Sequence, residues 1–345
     1  MIKKPAIVIL VFTVVAALLA WQYRQMISYL AVQGTGQLQL LLSARDIAVY
    51  LDDAAFPEEK KEKIRLIGRL KEFARENLGL VDNGSYEKLY DQKGKPILWM
   101  VKAAPPYSLE PHTWSFPIAG RFSYISYFNV DDAQKAARRL HDEGYDVWIS
   151  EVSAWSTLGY FKDPILSSML ERSEGLLARL IFHEMTHGTV FVKGDMKFNE
   201  NLATFIGDTA AAYYLETAYG PTSPEVTKYR ENLEDSRLLN RHLVRGAERL
   251  RILYASFDDD PSLTPEKKKE QKRALIRSIM DEAASLPYHT PERFARFREF
   301  SPNNAWFTGF LTYNEDVSAL QEEFVSTFGS DYRKMIAHYR KMHMK

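Results

Sequence analysis

The segment His183-Glu184-Met185-Thr186-His187 restricts the folding of this chain more than any other stretch. Two imidazoles four residues apart fall on one face of an α-helix, one turn apart, where both can reach a single ion. The preceding Leu176, Leu177, Leu180 and Ile181 keep helical spacing. A helix is therefore expected, and the Glu beside its first His points near the open coordination position, where it can take a proton from water. A zinc site of the hydrolytic kind needs one more protein ligand, and the fourth position goes to water.

The candidate third ligand lies a short way downstream. Twelve residues after His187 come Asn199 and Glu200, opening a second apolar segment behind the turn-like Lys193-Gly194-Asp195. An antiparallel helix starting there brings Glu200, in its first turn, back alongside the two histidines. Glu200, Thr204 and Asp208 recur every four residues, so one polar stripe is expected to face the metal helix. Thr204 and Asp208 are then placed to hydrogen-bond the non-ligating nitrogen of a histidine, or else to face solvent.

Composition removes several alternatives. The 345 residues include no Cys, which excludes disulfides, thiolate metal sites, cysteine nucleophiles and a lipid attached through Cys. Forty-five Lys and Arg balance forty-five Asp and Glu, so no overall field draws the protein to nucleic acid. The run Lys267, Lys268, Lys269, Lys272, Arg273 is interleaved with Glu266 and Glu270, and reads as a solvated helix face.

Between Lys4 and Arg24 lie nineteen residues without charge. As a helix they measure roughly 28 Å, close to the thickness of a bilayer core. Cleavage after Ala20 as a signal peptide would put Leu18 where a small residue is wanted, so an uncleaved single-pass anchor over residues 1–24 is expected. Lys3 and Lys4 hold the N-terminus in the cytoplasm, which leaves residues 25–345 in the periplasm, facing out from the inner membrane.

The exported part divides into a helical plus small-sheet half, 25–171, and a helical half, 172–345, carrying the metal motif. A helix is expected over Gln25 to Asp53, broken near Gly34 and Gly36, and a second from Pro57-Glu58 to about Leu78. Strands are expected at Ile97–Val101, Arg121–Phe128 and Tyr145–Ser150, with a helix at Asp131–His141. Glu151–Phe161 offers an edge strand for an extended substrate, or else packs Trp155, Tyr160 and Phe161 into the core. The fold class is α+β, mostly helical, with one small sheet packed on a helical body.

His183-Glu184-x-x-His187 followed by Asn199-Glu200-x-x-Ala203 resembles the gluzincin zinc peptidases. More specifically, the exported chain resembles the bacterial predicted-aminopeptidase family of membrane-attached gluzincins. The shared blocks include Ser108-Leu109-Glu110-Pro111, Phe116-Pro117-Ile118-Ala119-Gly120, Ser156–Phe161 with Asp163-Pro164, and Gly194-Asp195, and they run from about Gln33 to at least Tyr313. The resemblance implies a gluzincin-like zinc peptidase with one Zn²⁺ per chain on His183, His187 and Glu200, Glu184 as general base, and a peptide substrate cut as an aminopeptidase cuts it. Two departures stand out. Many members attach through a Cys that is missing here, and the Gly-x-Met-Glu-Asn stretch with which well-known gluzincin aminopeptidases hold a free amine is missing too.

Tyr313, after the Asn303-Asn304-Ala305 block, is the candidate oxyanion donor, with a packed core tyrosine as the alternative. Other functions compatible with these residues are a zinc endopeptidase and a non-catalytic, membrane-tethered binding or scaffold protein. In the last, a structural metal would leave Glu184 without a role.

Overall fold

The computed structural model describes residues 24–116, 120–152, 162–260, 262–313 and 318–343. The expected anchor lies almost wholly outside them. Among the described residues no helix is long and apolar enough to cross a membrane.

Helix α1 (Arg24–Ser43) runs unbroken through Gly34 and Gly36, where a break was expected. Gly36 serves packing instead: a Cβ there would come within 2.3 Å of the Phe128 ring. The break comes about two turns later, at β1 (Arg45–Asp46), and the Asp46 carboxylate accepts from Ala48 N to start α2 (Ile47–Asp52). Pro57 introduces α3 (Glu58–Phe73), whose first turn carries Glu58 and Glu59, favourable at the positive end of the helix dipole. It buries Ile64, Leu66, Ile67 and Leu70, then widens into a π turn at Ala74–Leu78 that Gly79 ends with φ +74°.

Two three-stranded sheets and a two-stranded ribbon replace the single sheet expected. In the first, β2 (Lys88–Tyr90) pairs antiparallel with β1 and parallel with β8 (Ile165–Leu166). In the second, β3 (Trp99–Ala104) lies between β6 (Ile125–Tyr127) and β7 (Asp146–Glu151), antiparallel to both. The ribbon pairs β4 (Trp114–Phe116) with β5 (Gly120–Phe122). Arg121–Phe128 is therefore divided between ribbon and sheet at Ser123-Tyr124, because its two ends answer to different partners. Asn129 caps α4 (Val130–Asp142), which lays Ala133 and Leu140 on Val101 and Ala103 of β3. The strand expected at Tyr145–Ser150 is β7, at the edge of its sheet; the edge strand expected over Glu151–Phe161, with Trp155 and Tyr160, lies outside the described residues from 153 onward.

The remainder is helical: α5 (Glu174–Thr189), α6 (Met196–Tyr219), α7 (Pro224–Asp259), α8 (Pro265–Ala283), the short α9 (Pro291–Phe294), α10 (Asn304–Tyr313), α11 (Ser318–Ser326) and α12 (Tyr332–His343). Ser223 and Thr264 cap α7 and α8 through their hydroxyls, each followed by Pro at the first helical position. The main core joins α3, α5, α6 and α12 around Phe182, Phe205, Leu70 and Ile67. A second, between α7, α8 and α10, centres on Leu250, Ile279 and Phe307.

The basic run on α8 is not wholly a solvated face. Lys272 is buried, donates to Pro106 O at 2.8 Å and pairs with Asp146 at the start of β7. The Asp146 carboxylate also accepts from Asn304 N at 2.9 Å, and the Asn304 amide donates to the carbonyls of Pro105, Pro106 and Ser108 while accepting from Tyr254. The 105–108 loop, β7, α7, α8 and the start of α10 are thus fastened through one asparagine and one buried ion pair.

Candidate metal centre

The centre is built on the α5–α6 hairpin. α5 buries Leu177, Ala178, Ile181, Phe182 and Met185, and this leaves His183 half-buried and His187 buried on the side that meets α6. The chain reverses in six residues, 190–195, with Gly194 at φ +86° and the Asp195 carboxylate accepting from Phe198 N at 2.9 Å to start α6. Asn199, buried, clamps the turn: its side-chain oxygen accepts from Val192 N at 2.8 Å and its amide donates to Val192 O at 2.9 Å. This clamp sets the rotation of the first turn of α6, and with it the direction of Glu200.

The hairpin brings together all three residues proposed as ligands from sequence. His183 Nε2 and His187 Nε2 lie 3.2 Å apart, and Glu200 places Oε2 3.6 Å from the first and Oε1 3.6 Å from the second. One ligand atom from each residue falls within 4.8 Å of the others, an arrangement that can hold a metal ion. Two imidazoles with the same nitrogen aimed at a shared point, closed by a carboxylate, form the donor set of hydrolytic zinc sites. Burial, and after it the neighbouring His183, push the His187 imidazole down to about 4 against the pull of Glu200. It is therefore neutral at pH 7, the form in which it can bind a metal. Burial raises the Glu200 carboxyl, but the hydrogen bond from His183 and the charges of both histidines outweigh it, holding the group below the usual carboxylate range.

Residues 28–345 match the family described as "Putative aminopeptidase". The chain belongs to that family. No curated protein and no solved structure matches it. Family membership supports a peptidase-like function acting on peptides, and the match takes in the whole α5–α6 hairpin.

Three other positions differ from expectation or lie beyond it. Asp208 does not orient a histidine: its carboxylate pairs with Arg179, one turn before His183, and this ion pair ties α5 to α6. Among the described residues Thr204 makes no hydrogen bond to either imidazole, and His187 Nδ1, buried, has no hydrogen-bond partner. Tyr313 is the last residue of α10, which packs against β3, β7 and α6; its side chain lies outside the described residues.

Two features of the centre escaped the sequence reading. Gly207, in the middle of α6, faces α5 so closely that a Cβ would stand 2.8 Å from Arg179 O and 3.2 Å from His183 Cβ. A glycine inside a helical pattern is the signal that marks it. Tyr86 is buried beside the catalytic candidate, where burial first, then the negative charges of Glu184 and Asp163, keep its phenol protonated. Its φ of +69° is rare for a tyrosine. Its own N–H donates to Asp163 O at 2.7 Å. Nothing in the local sequence announces that conformation.

Gly207→Ala is expected to push α6 off α5, because a helix backbone carbonyl cannot yield as a side chain can. Overpacking of this kind costs about 1–3 kcal/mol. Thermal melts should show that loss, and titration of metal into the variant should show weaker binding. Unchanged melting and metal affinity would mean that the hairpin spacing is set elsewhere.

Proposed function

We propose that this chain is a zinc-dependent aminopeptidase, held in the inner membrane by residues 1–24 with its catalytic part in the periplasm. The observation that carries the reading is the convergence of His183, His187 and Glu200 on one point, with Glu184 on the same turn of α5 as the first ligand. Bound by these three residues, zinc would supply Lewis-acid polarisation to the scissile carbonyl and to water. Glu184 accepts the proton of the attacking water as the new C–O bond forms, and returns it to the amine as the C–N bond breaks. Tyr313 is the proposed donor to the oxyanion.

Elemental analysis of the purified full chain tests the metal, and hydrolysis of free-amine and N-acetylated peptides, with and without chelator, tests the activity. One zinc per chain and chelator-sensitive cleavage of free-amine peptides alone are expected. Equal cleavage of the N-acetylated set makes the protein an endopeptidase. Metal without hydrolysis makes it a binding or scaffold protein.

Tyr313→Phe removes a hydroxyl and leaves the ring. An oxyanion donor is worth about 10²–10³ in turnover, so kcat should fall by that factor with zinc content and melting temperature unchanged. A core tyrosine shows the reverse, with turnover preserved and stability lowered by about 1 kcal/mol or less.

The anchor is tested by the N-terminal sequence of the mature protein. A chain that keeps its first residues and stays with inner-membrane vesicles is expected. A mature sequence starting near Trp21 would remove the anchor and leave export intact.

A further inference from the structure

Between α1, the β4 strand of the ribbon, β6 and α4 lies a cavity of about 860 Å³, within the size range of small-molecule sites. None of the metal-centre residues lines it. Its walls are Tyr29 of α1, Trp114 and Phe116 of β4, Ile125 and Tyr127 of β6, and Leu140 of α4. The Tyr29 hydroxyl is engaged with Ser126 O at 3.0 Å, so its ring is presented as an apolar surface, 5.8 Å from Phe116 and 5.6 Å from Tyr127 between centroids.

Polar groups enter this apolar space at two places. Gln33 lines the cavity, and its Nε2, buried, has no hydrogen-bond acceptor among the described residues. A buried donor without an acceptor is costly, and a ligand oxygen delivered to it recovers that cost. Across from α1, Lys135 and Arg139 of α4 line the same cavity with Asp132, an excess of one positive charge. Both cations are solvent-exposed, and their pairings with Asp132 and Glu143, each at 3.3 Å, are surface ion pairs of small worth that an incoming anion can displace.

An apolar body, an acceptor oxygen and an anionic end together describe an acyl chain with its acid or ester group. We propose that this cavity binds a single acyl chain, its carbonyl oxygen accepting from Gln33 Nε2 and its anionic end lying toward Lys135 and Arg139. The position of α1 identifies a source. No charged residue occurs from Gln25 to Ala44, nineteen uncharged residues precede Arg24 in the sequence, and Leu30, Leu38 and Leu42 are exposed on the helix. A charge-free helix that follows the anchor proposed above, with leucines exposed along it, is placed next to the bilayer. The bilayer as source rests on the anchoring proposed above; the cavity's chemistry does not.

Two photoreactive probes separate the sources, applied to the full chain in lipid nanodiscs: diazirine palmitate, and a phosphatidylglycerol carrying the diazirine in one acyl chain. Crosslinks mapped by mass spectrometry are expected on α4, β6 and the inner side of α1. Ala136→Trp, filling the cavity from α4, and Val32→Trp, filling it from α1, should each reduce those crosslinks by tenfold or more, with peptide hydrolysis and zinc content unchanged. Gln33→Leu should weaken palmitate labelling severalfold. Labelling by palmitate alone overturns the bilayer as source and keeps the acyl site. Labelling confined to residues 1–23 and the outer face of α1, or insensitive to both Ala136→Trp and Val32→Trp, overturns the site. Because the palmitate arm also works in buffer, a failure of the anchor is distinguishable from a failure of the cavity.

Discussion

Glu184→Gln should keep its zinc and lower kcat by about 10²–10⁴, the usual contribution of a positioned general base. The substitution is close to isosteric, and Glu184 stands outside the group formed by His183, His187 and Glu200, so the donor set survives. What disappears is the capacity to accept a proton. The loss should fall on kcat and on kcat/KM alike, since proton transfer happens only in the transition state. Single-turnover kinetics with a free-amine peptide, beside elemental analysis, checks both halves. Loss of zinc in the variant would make Glu184 a structural part of the centre, and a rate near that of the parent would remove it as the base.

His187→Gln should have the second large effect, on metal uptake and on stability together. With zinc bound as proposed, the metal at 1,000 times its dissociation constant should stabilise the parent chain by about 4 kcal/mol, read as a rise in melting temperature. The variant should show no such rise. The metal-free parent should also lose stability in acid, and the sign follows from His187. Its folded pKa of about 4 lies below the ordinary 6.5, so between those values the unfolded chain binds the extra proton and unfolding is favoured as pH falls. Stability is thus complete above about pH 6.5 and declines toward pH 4, by about 3 kcal/mol at most. The depressed Glu200 carboxyl acts in the same direction at lower pH. Denaturant melts of the chelated protein at pH 7.5 and 5 should show the decline in the parent and its absence in His187→Gln. A pH-independent parent would place the His187 imidazole in water.

Motif spacing made the candidate ligand group legible because its geometry is local. His183 and His187 share a helix face by periodicity alone, and Glu200 follows once the short turn after His187 forces an antiparallel return. Helix starts were legible for the same reason: Ser223 and Thr264 cap backbone groups three residues on, and Pro57-Glu58 opens α3 with acidic residues in its first turn. The helical body and the presence of short strands in the middle of the chain followed from these local signals.

Whatever depended on a partner distant in sequence was not legible. Arg121–Phe128 looks like one strand, yet β5 pairs with β4 while β6 pairs with β3, because strand registry is chosen by neighbours. Asp208 has the spacing of a histidine partner, but Arg179 reaches its carboxylate. Lys272 sits in a run of solvated lysines and is drawn inward by Asp146, far away along the chain. Gly36 and Gly207 look like helix breakers and are points of contact, because helix or ring packing needs room where a Cβ would stand. By itself the sequence determined which residues can form a metal centre, since four-residue spacing and a short turn act over a few ångströms of chain. Tertiary structure alone decided how closely the two helices approach and what surrounds the ligands, since those depend on long-range packing that no local pattern encodes.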